Sequence, residues 1–337
     1  MKLISENKFY IAIICIIIPF VLYAIISDYA ERPVSAQSVP VTIEIPRGAG
    51  FSRITGLLEE AGLIKHKKLF YLLAKLKDAP TNIRAGEYDM DSSMSPTDAI
   101  NKLVKGNIKG YRVPIPEGFN IHQIAARLTS SDLVNEEEFI KAASDPQFVS
   151  SLGIRGGSFE GYLFPDTYIF DRSMDEKGII KLMVNRFRQV ATPDMLKRAA
   201  ELALTTEEFV TLASIIEKEG GPKEEKALIS AVFHNRLRDG MRLQSDPTVI
   251  YGIKDFDGNI TKKHLRSKTP YNTYRIWGLP PGPIANPGRD SLLAALYPAD
   301  VPYLYFVSQN NGSHHFSTNL ASHNKAVLKY QIKRGKM

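Results

Sequence analysis

The most apolar stretch of the chain is at its start. Phe9 to Ile26, FYIAIICIIIPFVLYAII, runs for 18 residues without a charge. At about 1.5 Å per residue that length just crosses the hydrocarbon core of a bilayer, and Pro19 is tolerated inside a membrane helix. Lys2 and Lys8 precede the run, while Asp28 and Glu31 follow it. The positive-inside tendency therefore puts residues 1–8 in the cytoplasm. The run exceeds a typical signal-peptide core, and the small residues near Ala36 lie far beyond its end, which favours an uncleaved anchor. Residues 9–26 are thus predicted as a transmembrane helix and residues 27–39 as a polar linker.

Beyond the linker, short strand patterns alternate with amphipathic helices. Two stretches resemble each other: IPRGAGFSRITGLLEEAGLI from Ile45 and IPEGFNIHQIAARLTSSDLV from Ile115. Each reads as a strand end, a Pro/Gly turn and a helix that packs back. The unit is either a recurrent structural element or part of a small carbohydrate-binding module. Between them, Phe70–Leu76 reads as helix and Ile83–Met90 as strand. Ser95–Gly106 follows as a helix with a Ser cap and a Gly stop, and Lys109–Pro116 as a second strand. Residues 40–112 form a small α+β subdomain on this reading.

From Glu117 the pattern turns mainly helical, and residues 113–337 read as one larger domain with short strands. Helical periodicity covers NEEEFIKAAS, KGIIKLMVNRFRQVA, TTEEFVTLASIIEKE and PKEEKALISAVFHNRL. Asp246–Gly288 is rich in Pro and Gly, a long turn-rich segment of the kind that is usually functional when ordered. Tyr303–Ser308 reads as a strand that pairs with His314–Asn319 across an Asn-Gly-Ser turn. The tail from Leu320 is helical and basic. The fold class is α+β.

The helix from Thr206 ends oddly. Thr205 and Glu208 make a capping box, and Gly220, Gly221 and Pro222 stop the helix. Its last turn nevertheless carries Glu217 and Glu219, where the helix dipole disfavours negative charge. Phe209, Leu212, Ala213 and Ile216 form the predicted buried stripe. Lys218 falls opposite it and is expected in solvent, with the two glutamates on opposite flanks. They cannot both face one substrate bond. A carboxyl beside an apolar stripe at a helix C-terminus has two reasons for a raised pKa, desolvation and the dipole. That would suit a general acid working near neutral pH. Helical geometry alone does not choose between the two, nor exclude a pair of solvated surface residues.

Composition narrows the chemistry. With 44% hydrophobic residues, the chain has ample material for a core. The net charge of +7 is spread without a dense basic block, so nucleic acid is not an expected partner; the excess fits an anionic polymer or membrane surface and equally an ordinary soluble surface. The single cysteine, Cys15, leaves no internal disulfide and no CxxC zinc site. No HExxH, GxSxG or P-loop pattern occurs, and His314 with His315 would point to opposite faces of a strand, so no metal or cofactor is expected.

Three other stretches carry residues suited either to binding carbohydrate or to anchoring loops through aromatics. They are FEGYLFPDTY (Phe159–Tyr168), LQSDPTVIYG (Leu243–Gly252) and PYNTYRIWGLPPGPIANPG (Pro270–Gly288). Aromatic faces stack on sugars and amide side chains bond hydroxyls, so a polyhydroxylated polymer fits better than a phosphate. Together with LASIIEKEG, NRL and HHFSTN, these motifs resemble the YceG-like family of endolytic murein transglycosylases, the MltG type. The resemblance covers nearly the whole chain. It implies an inner-membrane anchor, a LysM-like subdomain at residues 40–112 and a periplasmic catalytic domain. The implied activity is lytic cleavage within peptidoglycan glycan strands between N-acetylmuramic acid and N-acetylglucosamine, leaving 1,6-anhydro-N-acetylmuramic acid ends. The implied partners are those strands and, as neighbours, peptidoglycan synthases. The implied catalytic residue is the first glutamate of EKE, Glu217, acting as acid and then as base. Glu160, Tyr162, Asp166, Asn235, Gln244, Ser245, Asp246, Tyr271, Asn272 and Tyr274 are the candidates for binding sugar. Two other functions compete. One is a membrane-tethered glycan-binding scaffold without catalysis. The other is a muramidase-type hydrolase pairing Glu217 with a second carboxylate such as Glu160 or Asp246.

Overall fold

The structure, a computed structural model, describes residues 2–254 and 256–332, with side chains from Ile14 onward. Helix α1 (Lys2–Glu31) carries the apolar run and passes through Pro19. Residues 14–31 are apolar and long enough to cross a membrane; Phe9–Ile13 of the predicted span lie outside the described side chains. The helix continues past Ile26 because Ile26 and Ala30 are buried against the core that follows. The stretch expected as a polar linker is therefore partly helical. Its remainder is pinned too: the Ser35 amide donates to the Ser92 carbonyl (3.1 Å) and the Ser38 hydroxyl to Asp91 (2.5 Å).

Two compact units make up the chain, Met1–Tyr111 with Ile169–Ser173 and Arg112–Tyr168 with Met174–Met337. In the first, β1 (Pro40–Ile45) is followed by α2 (Phe51–Glu60), α3 (Lys67–Leu76), β2 (Gly86–Asp91) and α4 (Pro96–Lys105). Strands β1 and β2 pair antiparallel, from Pro40 opposite Asp91 to Ile45 opposite Gly86. That register turns Ile43, Ile45, Tyr88 and Met90 onto one face, where they meet Ile54, Leu58, Phe70, Leu73 and Leu103. The buried Tyr88 hydroxyl finds the Arg84 carbonyl at 2.7 Å, as a buried phenol requires. Helix α4 has both halves of its Ser95/Asp98 capping box and stops at Gly106 in the left-handed region.

The second unit contains most of β3 (Tyr111–Pro114), then α5 (Ile121–Thr129), α6 (Glu136–Ala143) and α7 (Pro146–Ser151). The first half of β4 (Thr167–Phe170) also belongs here and precedes α8 (Glu176–Val190), α9 (Pro193–Glu201), α10 (Thr206–Glu219) and α11 (Lys226–Arg238). Two short helices, α12 (Asp246–Tyr251) and α13 (Lys262–Arg266), punctuate the Pro/Gly-rich segment. Then come α14 (Arg289–Leu296), the antiparallel hairpin of β5 (Tyr305–Ser308) and β6 (His314–Ser317), and α15 (Leu320–Val327). The two Ile-Pro-x-Gly stretches share a local geometry. Gly48 and Gly118 take φ of 72° and 75°, which a β-carbon would resist, and each turn leads into a helix.

Helix α10 is the axis of the second unit. Every residue from Phe209 to Ile216 is buried. The expected one-sided stripe is thus too narrow: α9, α11, α12 and α14 all pack on this helix. A helix enclosed on all sides holds its ends rigidly, and here the end holds the two glutamates.

Candidate active site

Glu217 and Glu219 leave the last turn of α10 on different sides and enter different surroundings. Glu217 points into the fold. Its two carboxylate oxygens accept from the Lys226 ammonium at 3.0 and 3.1 Å. Oε2 also accepts from the Ser291 hydroxyl (2.7 Å) and the Gly288 amide (3.0 Å). Gly288 is the N-cap of α14 and has no side chain of its own to cap that helix. The Glu217 carboxylate takes this role, satisfying an end amide and meeting the positive end of the helix dipole. Both partners of the ion pair are only 10% exposed. Next to it, burial and then the Glu217 charge push the Glu117 carboxyl above its ordinary range. Lys218 is exposed as expected, and its ammonium also donates to the Gly118 carbonyl.

Glu219 lines a cleft of about 360 Å³, together with Arg236, Gln244, Asp246, Tyr274, Tyr305 and His323 among others. Its Oε1 accepts from the Ser245 hydroxyl at 2.5 Å, while Oε2 has no hydrogen-bond partner among the described residues. Burial raises its pKa from 4.5 to about 7; the Ser245 bond opposes this, the Asp246 charge adds to it and Arg236 again opposes. One oxygen is thus held by Ser245, in a residue that lines the cleft.

The walls of this cleft are locked in place. Ser245 follows Gln244, whose φ of 50° is unusual for a residue with a side chain. The turn is held because the Gln244 amide bonds the Thr273 carbonyl (3.2 Å) and the Ser245 amide bonds the Thr273 hydroxyl (2.9 Å). The Tyr274 hydroxyl donates to Asp246 at 2.7 Å, which fixes an exposed carboxylate at the rim. Arg236 donates to the carbonyls of Leu304 (2.7 Å) and Leu243 (2.6 Å), and its guanidinium lies over the Tyr305 ring. His323 stacks on the same ring at 5.2 Å. Burial, then Arg236 and His315, hold the His323 pKa below its ordinary value. Nearby in sequence, Trp277 is 66% exposed with the Arg242 guanidinium 4.4 Å from its ring.

Of the ten candidates for binding sugar, Gln244, Asp246 and Tyr274 reach this cleft and Ser245 stands behind it. The others do not. Asn235 is buried and donates to the carbonyls of Val301 and Tyr303. Asn272, fully buried, donates to those of His264, Leu265 and Ser267. Their side-chain NH2 groups thus go to carbonyls of the 301–303 segment and of the C-terminal end of α13. Glu160, 3% exposed, accepts from the Ile121 amide (3.2 Å), Tyr251 hydroxyl (3.2 Å) and Asn286 amide group (3.1 Å), and so ties α5, α12 and the 283–287 loop together. Asp166 pairs with Arg186 at 2.6 Å, Tyr271 packs on Tyr251, and Tyr162 lines a separate cavity. Arg236, Tyr305, His323 and Asn324 belong to the cleft without having been singled out. The only signal was that Arg236 sits in the NRL motif and the others near HHFSTN. His314 itself bonds Glu225 through Nδ1 at 2.8 Å.

Glu160 and Glu219 share one thermodynamic property. Burial lifts each to about 7 in the fold, against 4.5 in the free chain. The folded state keeps these protons while the unfolded state has released them. Their stabilising contribution is complete below about pH 4.5 and is lost as pH rises through 7. The melting temperature is expected to fall between pH 5 and pH 8. The Glu219→Gln protein should fall less, and an identical fall would show that Glu219 does not titrate in this window.

Comparison with known proteins agrees on one relationship. The YceG-like family profile matches residues 43–329. The endolytic murein transglycosylase of Bacillus subtilis (strain 168) is 35% identical, over 89% of this chain and 87% of its own length. That of Streptococcus pneumoniae serotype 2 is 31% identical over 88% of this chain, which spans 60% of that longer protein. A crystal structure of a YceG-like protein from Listeria monocytogenes superposes with a TM-score of 0.59 at 34% identity, covering 86% of this chain and 100% of the other. Sequence and fold thus lead to one conclusion: this chain belongs to the YceG-like family.

Proposed function

We propose that the protein is an endolytic peptidoglycan lytic transglycosylase and that Glu219, rather than Glu217, is its acid and base. The observation that carries this is the Glu219 carboxyl: one oxygen held by Ser245, in a residue that lines a cleft, with a pKa near 7. A group that is part protonated at neutral pH can give a proton to a leaving glycosidic oxygen and then take one back. The nucleophile would be the C6 hydroxyl of the same N-acetylmuramic acid. The bond from its C1 to the N-acetylglucosamine oxygen breaks as a bond from C1 to O6 forms. Glu219 protonates the departing oxygen and receives the O6 proton, so no water is consumed and a 1,6-anhydro end results. Asp246, exposed beside Glu219 and oriented by Tyr274, would offset positive charge developing on the sugar ring.

The names of the curated relatives support the substrate. The apolar helix α1 supports a single-pass anchor in the inner membrane, N-terminus in the cytoplasm, with residues 113–337 as a periplasmic catalytic domain. The β–α–α–β order of residues 40–91 supports a LysM-like subdomain. Cleavage of nascent strands at the membrane would end their elongation and bring the enzyme close to peptidoglycan synthases. Mass analysis of products from purified glycan strands tests the reaction. Anhydro ends are expected, whereas ends heavier by one water would mean hydrolysis, and binding without new ends would mean a scaffold.

A further inference from the structure

A second cavity of about 580 Å³ lies at the other end of α10, lined from Gly153–Arg155, Tyr162, α8, α9 and residues 204–207. Along the helix it is roughly 18 Å from Glu219, at 1.5 Å per residue. Its volume falls in the range of small-ligand sites. Its character differs from that of the Glu219 cleft. Ile154, Val184, Phe187, Leu196 and Leu204 form an apolar wall, and no Asn, Gln or Asp lines it. Three polar groups converge there without partners among the described residues. The Tyr162 hydroxyl accepts and donates nothing, although the residue is only 4% exposed. The Arg155 guanidinium and the Glu207 carboxylate line the same cavity yet form no ion pair. Glu207 is raised above its ordinary range, mainly by burial, with Arg155 acting the other way. Arg155 is exposed and Glu207 partly buried, so both charges, with the Tyr162 hydroxyl beside them, are open to an occupant with complementary groups. That occupant needs an apolar stretch, an anion for Arg155, a cation for Glu207 and an amide for Tyr162. A neutral sugar supplies neither charge.

We propose that this cavity binds the stem peptide carried by the glycan strand, with its glutamate carboxylate on Arg155, its diamino-acid ammonium on Glu207 and its alanine methyl on the apolar wall. The identity of the peptide rests on the reading of the substrate as peptidoglycan. The Thr205 hydroxyl is already engaged by Glu208 and adds nothing. Arg188, which donates to the Leu152 carbonyl, borders the site as a fixed positive charge.

The probe is the tripeptide L-Ala-γ-D-Glu-L-Lys, titrated calorimetrically into the full chain in detergent, with its Nε-acetylated form as the control. A dissociation constant on the order of 1 mM or tighter is expected. Nε-acetylation and Glu207→Gln should each weaken binding at least about fivefold, as should Arg155→Gln, each removing one charge-assisted contact. Melting temperatures of both variants near that of wild type separate lost binding from lost fold. In cleavage assays both variants should raise KM on peptide-bearing strands and leave it unchanged on strands stripped of peptide. Absence of tripeptide binding, or binding indifferent to both substitutions, would overturn the proposal even if cleavage proceeds normally. If wild type cleaves neither kind of strand, the transglycosylase reading fails, and the titration alone decides the cavity.

Discussion

Glu219→Gln is expected to lower the rate of glycan-strand cleavage by about 10²–10⁴-fold while the protein stays folded. The magnitude follows from what positioned acid–base groups contribute; each tenfold corresponds to about 1.4 kcal/mol of transition-state stabilisation. The upper part of the range is the better expectation, because the same carboxyl would serve both proton transfers. Folding should be spared for a structural reason. Glu219 has one hydrogen bond, from Ser245, and a Gln carbonyl can accept it. The amide also removes a buried acid, so the variant should match or exceed wild type in melting temperature above pH 7. The decisive comparison is with Glu217→Gln under the same conditions. Wild-type cleavage by Glu219→Gln would remove Glu219 from the chemistry. An equal loss in a Glu217→Gln protein shown to be fully folded would implicate both glutamates and overturn the assignment to Glu219 alone.

The sequence carried much of the fold and a minority of the residues that line the candidate cleft. Helix α10, its Thr205/Glu208 cap and its glycine stop are written locally, and they form as expected. The same holds for the Ser95–Gly106 helix and for the hairpin joining Tyr305–Ser308 to His314–Ser317. A helical wheel also separates the two glutamates correctly, because that angle depends on the helix alone. What it cannot hold is which side meets a cleft. The groups that settle this come from far along the chain: Gly288 and Ser291 to Glu217, Ser245 and Arg236 to Glu219. The same limit explains the amides. Asn235 and Asn272 look like sugar ligands in a motif rich in Tyr and Pro. In the fold each side-chain NH2 group donates to backbone carbonyls contributed by other segments, which the local sequence does not show.

The second large effect is expected at Glu217, and it is one of stability. Glu217→Ala leaves the Lys226 ammonium buried without its counter-ion and strips the N-terminus of α14 of its acceptor. Breaking a buried pair on one side costs roughly 3–5 kcal/mol, which for a unit of this size lowers the melting temperature by on the order of 10 °C. The cost arises mainly from the stranded charge, so removing that charge as well should recover much of it. Glu217→Met combined with Lys226→Met should therefore melt well above Glu217→Ala, since an apolar pair of similar volume can replace a buried ion pair at little loss. Activity then discriminates between the two glutamates. If Glu217 only ties α10 to α11 and α14, the double variant regains cleavage in step with its fold. If it is the proton donor, the double variant folds and remains inactive, and the catalytic role returns to the first glutamate of the pair.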